Sequence, residues 1–271
     1  MKRGIKPEIG LMPVLFLILF LGTELFAQKN KEYIALSKFR KWGIIAGPVL
    51  YNKGKIYPQY GDYSFENFPI WSYNAGIEYD FYPDRKWSVI TGIIVALEPV
   101  YNIQCTFRAE DIYDQFEVDF ADKYRAYAMP SMSAPLLIRL NIQVNKRLFA
   151  NFISGLKVRY FPPGEQELSV VFHNRDDTES REEFYLYAAS PDNSFQGSFV
   201  TGAGLSFAFH NVLLKSNLVY SMDFQNTMEG YYEFKNLLTS PPSGGDYESS
   251  GNFLGLLFLV SIAKNKKKYQ Y

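Results

Sequence analysis

Stretches of about ten residues in this chain place apolar side chains at every second position, and their connections alternate between long polar loops and very short turns. A period of two is the spacing of a β-strand with one apolar face, and no amphipathic helix produces it. Across 72–82, Tyr73, Ala75, Ile77, Tyr79 and Phe81 share one face, while Ser72, Asn74, Gly76, Glu78 and Asp80 share the other. After the turn Pro83-Asp84-Arg85-Lys86, residues Trp87, Val89, Thr91, Ile93, Val95 and Leu97 alternate with Ser88, Ile90, Gly92, Ile94, Ala96 and Glu98. These two runs predict a hairpin.

The pattern recurs around Asn145-Lys146-Arg147 and around His210-Asn211. In the second hairpin Ala134, Leu136, Ile138, Leu140 and Ile142 alternate with Pro135, Leu137, Arg139, Asn141 and Gln143. Its return strand sets Phe152, Leu156, Val158 and Tyr160 against Asn151, Ile153, Gly155, Lys157 and Arg159. The third pairs Phe199, Thr201, Ala203, Leu205 and Phe207 with Val212, Leu214, Ser216, Leu218 and Tyr220. A first strand near 43–51 and a last near 253–262 complete an even set. Strands with one uniformly apolar face bury their polar face only by closing on themselves, with the apolar face toward lipid. The fold class expected is therefore all-β, an eight-stranded antiparallel up-and-down transmembrane β-barrel. Short turns of such barrels face the periplasm and long loops the exterior. The loops at about 52–69, 102–130, 161–197 and 225–251 are expected outside, with both the N- and C-termini in the periplasm. Two loops contain alternating runs of their own, at 117–120 and at 168–173 facing 183–188 across the tip Arg175 to Thr178, so strands are expected to continue above the membrane.

The first residues predict export. Lys2, Arg3 and Lys6 precede the apolar run Leu11 to Leu21, and Leu25-Phe26-Ala27 resembles a cleavage site, giving a signal peptide at 1–27. That run falls short of the roughly 20 residues a spanning helix needs. A periplasmic segment 28–41, a barrel 42–263 and a basic tail 264–271 follow. The basic residues Lys29, Lys31, Lys38, Arg40, Lys41 and Lys264 to Lys268 would lie on the inner side, against anionic headgroups or an acidic protein. The single cysteine, Cys105, excludes an intrachain disulfide and a multi-cysteine metal site. A formal net charge of +0 gives no basic excess for nucleic acid, and the mean hydropathy of -0.16 does not describe a helical membrane protein.

An eight-stranded barrel has room inside for little more than its own side chains. By parity its inward charges are Glu78, Asp80, Glu98 and Asp223 against Arg139, Lys157, Arg159 and Lys215, a balanced set expected to pair in the lumen. Inward glycines at 76, 92, 155, 202 and 204 would leave room for the long cations. Aromatics mark the expected membrane interfaces: Trp42, Phe81, Trp87 and Phe207 near the short-turn ends, and Tyr51, Trp71, Tyr160, Tyr220 and Phe253 near the long-loop ends. Loop aromatics Tyr57, Tyr60, Tyr63, Tyr113, Tyr231 and Tyr232 suit either a loop cap or a ligand platform.

Catalytic patterns are thin. A rim acyltransferase or esterase would need a His with Ser and an acid near the outer leaflet. His210 falls in a short turn at the other end. His173 lies in an outer loop with Ser169, Asp176, Asp177 and Glu179, without a geometry that sequence can supply. Those carboxylates read as a solvated hairpin tip, with cation bridging to lipopolysaccharide the alternative. No catalytic residue, cofactor or metal site is expected.

The signal ending Phe-Ala-Gln, the hairpin rhythm, and the run Ala134-Pro135-Leu136-Leu137-Ile138-Arg139-Leu140-Asn141 before a short turn and the Gly155 strand resemble the PorT-like outer-membrane β-barrel family of Bacteroidetes. The resemblance covers nearly all of the mature chain and implies a cell outer membrane location. The member that names the family belongs to a protein secretion machinery. Its implied partners are outer-membrane lipid, lipopolysaccharide and envelope or secretion-complex proteins, and a non-enzymatic structural or interaction role is the expectation. A narrow conduit for a small solute or hydrophobic ligand is the alternative. The C-terminus departs from many barrels, which end on an aromatic in the last strand; here Lys264 to Lys268 precede Tyr269, Gln270 and Tyr271.

Overall fold

The computed structural model describes residues 34–112, 118–173, 178–191 and 194–264. The expected signal peptide, most of the 28–41 segment's start, Tyr113, the tip residues 174–177 and the tail from 265 lie outside them. A short helix, α1 (Ile34–Ser37), precedes fourteen strands: β1 (Trp42–Tyr51), β2 (Lys55–Tyr60), β3 (Glu66–Asn67), β4 (Ile70–Asp80), β5 (Trp87–Phe107), β6 (Phe120–Gln143), β7 (Leu148–Tyr160), β8 (Glu165–His173), β9 (Ser180–Ala189), β10 (Phe195–Ala208), β11 (Val212–Asp223), β12 (Asn226–Phe234), β13 (Ser243–Ser250) and β14 (Phe253–Ile262).

Eight of these, β1, β4, β5, β6, β7, β10, β11 and β14, form a closed antiparallel barrel. Closure is made by β1 against β14, with Ile44 opposite Val260 and Tyr51 opposite Phe253. Side-chain alternation follows the sequence periodicity: β14 reads buried, exposed, buried along its whole length. Both described ends of the chain lie at the short-turn end, where Phe39 bridges to Ala263.

The inward glycines have a steric reason. A Cβ on Gly155 would press on the Leu136 carbonyl oxygen and come within 2.8 Å of the Leu137 Cα, and Gly76, Gly92 and Gly204 meet neighbouring carbonyl oxygens in the same way. Side chains there would force neighbouring strands apart.

Two features extend beyond the barrel wall. The paired strands β5 and β6 continue well past the last barrel position, through irregularities at Leu97, Pro99 and Tyr101, to Phe107 opposite Phe120. The expected loop 102–130 is thus largely strand. Proline in the ladder, which cannot donate, accounts for the irregularity at Pro99 and Pro130. Segments of the first, third and fourth loops join as a separate five-stranded sheet in the order β2-β13-β12-β9-β8. Only the β8–β9 pairing was legible from alternation. The sheet packs over the β5/β6 extension and encloses an aromatic core that includes Phe65, Phe107, Phe172, Phe184, Tyr232, Phe234 and Tyr247. Opposite, Leu36 and Phe39 pack with Phe149, Ala208 and Leu213 at the short-turn mouth. Both mouths of the barrel are covered.

Replacing Gly155 with valine is expected to lower the stability of the barrel refolded in detergent or lipid by about 1–3 kcal/mol, the usual cost of overpacking. Urea titration followed by heat-modifiable gel migration measures this, and an unchanged midpoint would contradict the close strand approach.

Candidate functional site: the ion-paired lumen and the loop cap

The inward face carries its charges in two tiers. In the tier nearer the short turns, Arg139, with no exposed surface, donates to Glu78 at 2.7 Å and to Asp80 at 2.5 Å. Lys215 reaches the same Asp80 oxygen at 2.9 Å, and the Ser88 hydroxyl donates to the other. One carboxylate, on β4, thereby holds two cations and a hydroxyl contributed by three other strands. In the tier nearer the loops, Arg159 pairs with Glu98 and, at 2.5 Å, with Asp223, and it also donates to Gln196 and to Thr227. Ser131 donates to Glu98 at 2.5 Å and Ser198 to Asp223 at 2.6 Å. Gly251 faces this tier, and a Cβ there would collide with Asp223 and Arg159.

All eight sequence-designated lumen charges therefore lie inside the barrel with buried side chains, and seven of them, all but Lys157, share direct ion pairs. Each tier holds two anions and two cations. Lys157 and Asp223 complete the loop-side balance, but no carboxylate of a described residue lies within 4.0 Å of the Lys157 ammonium, which sits 4.9 Å from the centre of the Phe253 ring. Sequence reasoning omitted the neutral partners Ser88, Ser131, Gln196, Ser198 and Thr227. Parity already placed Ser88 inward, and the same count along β6 and β10 would have placed Ser131 and Ser198 there. Thr227 arrives from a loop strand and carries no such signal.

Between the tiers the lumen is mostly apolar, filled by Ile45, Ile90, Leu137, Ile153, Val200, Val219 and Leu257. The outer wall is the inverse: Ile44, Trp71, Tyr73, Ile77, Ile93, Leu136, Ile138, Leu156 and Leu218 are each more than half exposed. Of the designated girdle residues, Trp42, Trp71, Tyr160 and Tyr220 are exposed, and Trp87 is partly buried. Tyr51 and Phe253 correct the sequence reading: both are buried in the lumen, with ring centres 5.3 Å apart. Their strands meet in register at the barrel seam, so one parity governs both.

The loop cap is fastened by a buried carboxylate that the sequence did not single out. Asp111, fully buried, accepts hydrogen bonds from the Tyr63 hydroxyl, from the Thr239 backbone N–H (3.0 Å) and hydroxyl (2.5 Å), and from the Ser240 backbone N–H and hydroxyl (both 2.7 Å). Three loops meet on it. Burial by itself would raise its pKa, but hydrogen bonds from Thr239, Tyr63 and Ser240 outweigh that and hold the carboxyl well below the usual carboxylate range. Burial, with the bond to Asp111, pushes the Tyr63 hydroxyl up to about 12. Cys105 is buried in the cap, and burial pushes its thiol up, away from the reactive thiolate.

Of the loop aromatics, Tyr63 and Tyr232 are core, whereas Tyr57, Tyr60 and Tyr231 stand on the outward face of the cap sheet. There Tyr57, Asp246, Tyr231, Tyr187 and Glu167 fall opposite one another across all five strands. His173 ends β8, and Ser169 donates to Glu182, so these two do not form a Ser-His pair. Asp176 and Asp177 lie outside the described residues. His210 sits at the short-turn end, where its carbonyl accepts from Lys38 at 3.2 Å. No group of three or more His, Cys, Asp or Glu suited to a metal ion occurs among the described residues.

No protein-family model and no curated protein matches the chain. Among solved structures, the crystal structure of the outer membrane protein OprG from Pseudomonas aeruginosa is similar at 9% identity and a TM-score of 0.39, covering 83% of this chain and 98% of that chain. The barrel assignment here rests on the closed register rather than on that likeness.

Two outcomes follow from the site. Arg139→Met strands Glu78 in the lumen and leaves Asp80 with Lys215 and Ser88 alone, and is expected to cost about 3–5 kcal/mol, whereas Lys235→Met, which removes the partly exposed pair with Glu182, is expected to cost less than about 1 kcal/mol. Equal midpoints in urea would contradict a buried network. Because the folded pKa of Asp111 is depressed, its contribution to the cap is complete above its unfolded value near 4 and is lost as pH falls toward the folded value. Protection from hydrogen exchange at residues 237–240, taken relative to the intrinsic rate at each pH, should therefore fall below about pH 4, and Asp111→Asn should be weakly protected already at pH 7 and lack this pH dependence.

Proposed function

We propose that this chain is a non-enzymatic β-barrel of the cell outer membrane that acts as a structural or interaction component of the envelope. The observation that carries the reading is the inversion of an ordinary globular protein: ion pairs inside, and a continuous exposed apolar wall outside. In water such a wall far exceeds the apolar patches that soluble monomers tolerate. In lipid it is the required surface, and barrel strands of about ten residues match a tilted crossing.

Covered mouths and charge-balanced, largely ion-paired tiers argue for a rigid support over an open pore. In this reading the short turns and both termini face the periplasm, and the cap stands outside among lipopolysaccharide. The outward cap face, with its row of tyrosines and carboxylates, is then the surface presented to other envelope components. A place within a protein secretion complex is the finer form of this reading; the PorT-like resemblance around Ala134 to Asn141 raises it but reflects barrel geometry and does not carry that role over. Loss of the protein would then impair secretion, and a deletion strain that retains every secreted protein would remove that part of the proposal.

Conductance separates this reading from the conduit alternative. The purified barrel in planar bilayers is expected to show no stepwise current at moderate voltage, and liposomes carrying it should take up no small solute. Reproducible unitary steps or uptake would establish the conduit in its place.

A further inference from the structure

The middle of the lumen is not completely filled. A cavity of about 40 Å³ lies between the two ionic tiers, bordered by Tyr51, Asn74, Lys157 and Asn217, by Glu78, Glu98 and Ser133, which already have hydrogen-bond partners, and by apolar side chains such as Leu137 and Val219. Four polar groups around it lack a hydrogen-bond partner among the described residues, Lys157 facing only the Phe253 ring. The Tyr51 hydroxyl and the side-chain oxygens of Asn74 and Asn217 are buried and make no hydrogen bond. Lys157 is 7% exposed and meets no carboxylate of a described residue within 4.0 Å. A buried ammonium without hydrogen-bond acceptors, or an amide oxygen without donors, costs several kilocalories per mole, so such groups persist where something else satisfies them.

From this arrangement we propose that the cavity is a specific hydration site, a small cluster of water molecules held by Lys157, Tyr51, Asn74 and Asn217. The size fits: one water centre needs roughly 10–15 Å³, so there is room for about three. The chemistry fits too. The ammonium donates three hydrogen bonds, the two amide oxygens accept, and the phenol does both, which gives each water the two to four partners that an ordered internal water has. Charge selects water over an anion. The loop-side tier is already neutral with Lys157 counted against Glu98, Asp223 and Arg159, so a bound anion would leave that tier with an unbalanced negative charge. The waters take the place of a carboxylate as the direct partner of Lys157, and they link its tier by hydrogen bonds to Asn74 and Asn217 without opening a path through Arg139. The inference concerns the interior alone and stands whether or not the cap binds a partner.

The test is a high-resolution crystal structure of the refolded barrel combined with a double substitution. Ordered density about 3 Å from Lys157 Nζ is expected, bonded also to Asn74 or Asn217. An empty cavity, or an anomalous peak there after a bromide soak, would overturn the proposal. Asn217→Leu, nearly the same size, should lower the urea midpoint by about 1 M because it removes an acceptor from the cluster that hydrates Lys157. In a Lys157→Met background, where no ammonium needs hydration, the same change should leave the midpoint unmoved or raised. Equal losses in both backgrounds would show that Asn217 acts by packing alone and would refute the cluster. If Asn217→Leu fails to fold, Asn74→Leu supplies the same cycle from β4.

Discussion

Closure of the ladder between β1 and β14 is the constraint on which the rest of this molecule depends. Once the eighth interface is made, every barrel strand has two partners and the interior has a fixed, narrow width. That width decides the rest. It demands glycine where strands press together, as at Gly155 against Leu136, and it leaves the long arginines no exit to solvent. Arg139 and Arg159 must then be neutralised in place, and Asp80, Glu78, Glu98 and Asp223 are positioned by three different strands to do so.

Burying charges in this way does not in itself stabilise a fold, because desolvation offsets most of the attraction. Its effect is on uniqueness. Since side chains alternate with period two, a one-residue slip of any strand would turn its charges into lipid and its leucines into the lumen. The two tiers therefore penalise every wrong register heavily while adding little to the right one. A similar division of labour holds in the cap, where an aromatic core supplies the burial and Asp111 specifies which three loops meet.

Much of this was legible in the sequence because a barrel wall obeys a local rule. Parity along 72–82 or 148–160 needs no knowledge of the partner strand, and it placed the lumen charges and most of the outer aromatics. It failed where two facts had to be combined. Tyr51 and Phe253 look like interface residues on their own strands, yet the seam turns both inward. The cap sheet was invisible for a related reason: β2 is short and interrupted by Pro58, β12 and β13 are short and rich in glycine, tyrosine and acid, and all three become strands only because segments almost 190 residues apart, such as Tyr57 and Asp246, meet over a shared core. Asp111 carries no motif at all. Its role arises from backbone N–H groups at Thr239 and Ser240 that point at it after the loops have folded.

Which solvent the apolar wall faces decides whether this chain is a membrane barrel. Spin labels placed singly at Ile77, Leu136 and Leu218, in a chain whose buried Cys105 is replaced by alanine, would report this directly in reconstituted membranes. High collision rates with oxygen and low rates with a water-soluble nickel complex are expected at all three sites, with the opposite ranking for a label at Tyr57 on the cap. Nickel access at the wall positions equal to that at Tyr57 would mean that the apolar face is not in lipid, and the membrane-barrel reading would be wrong.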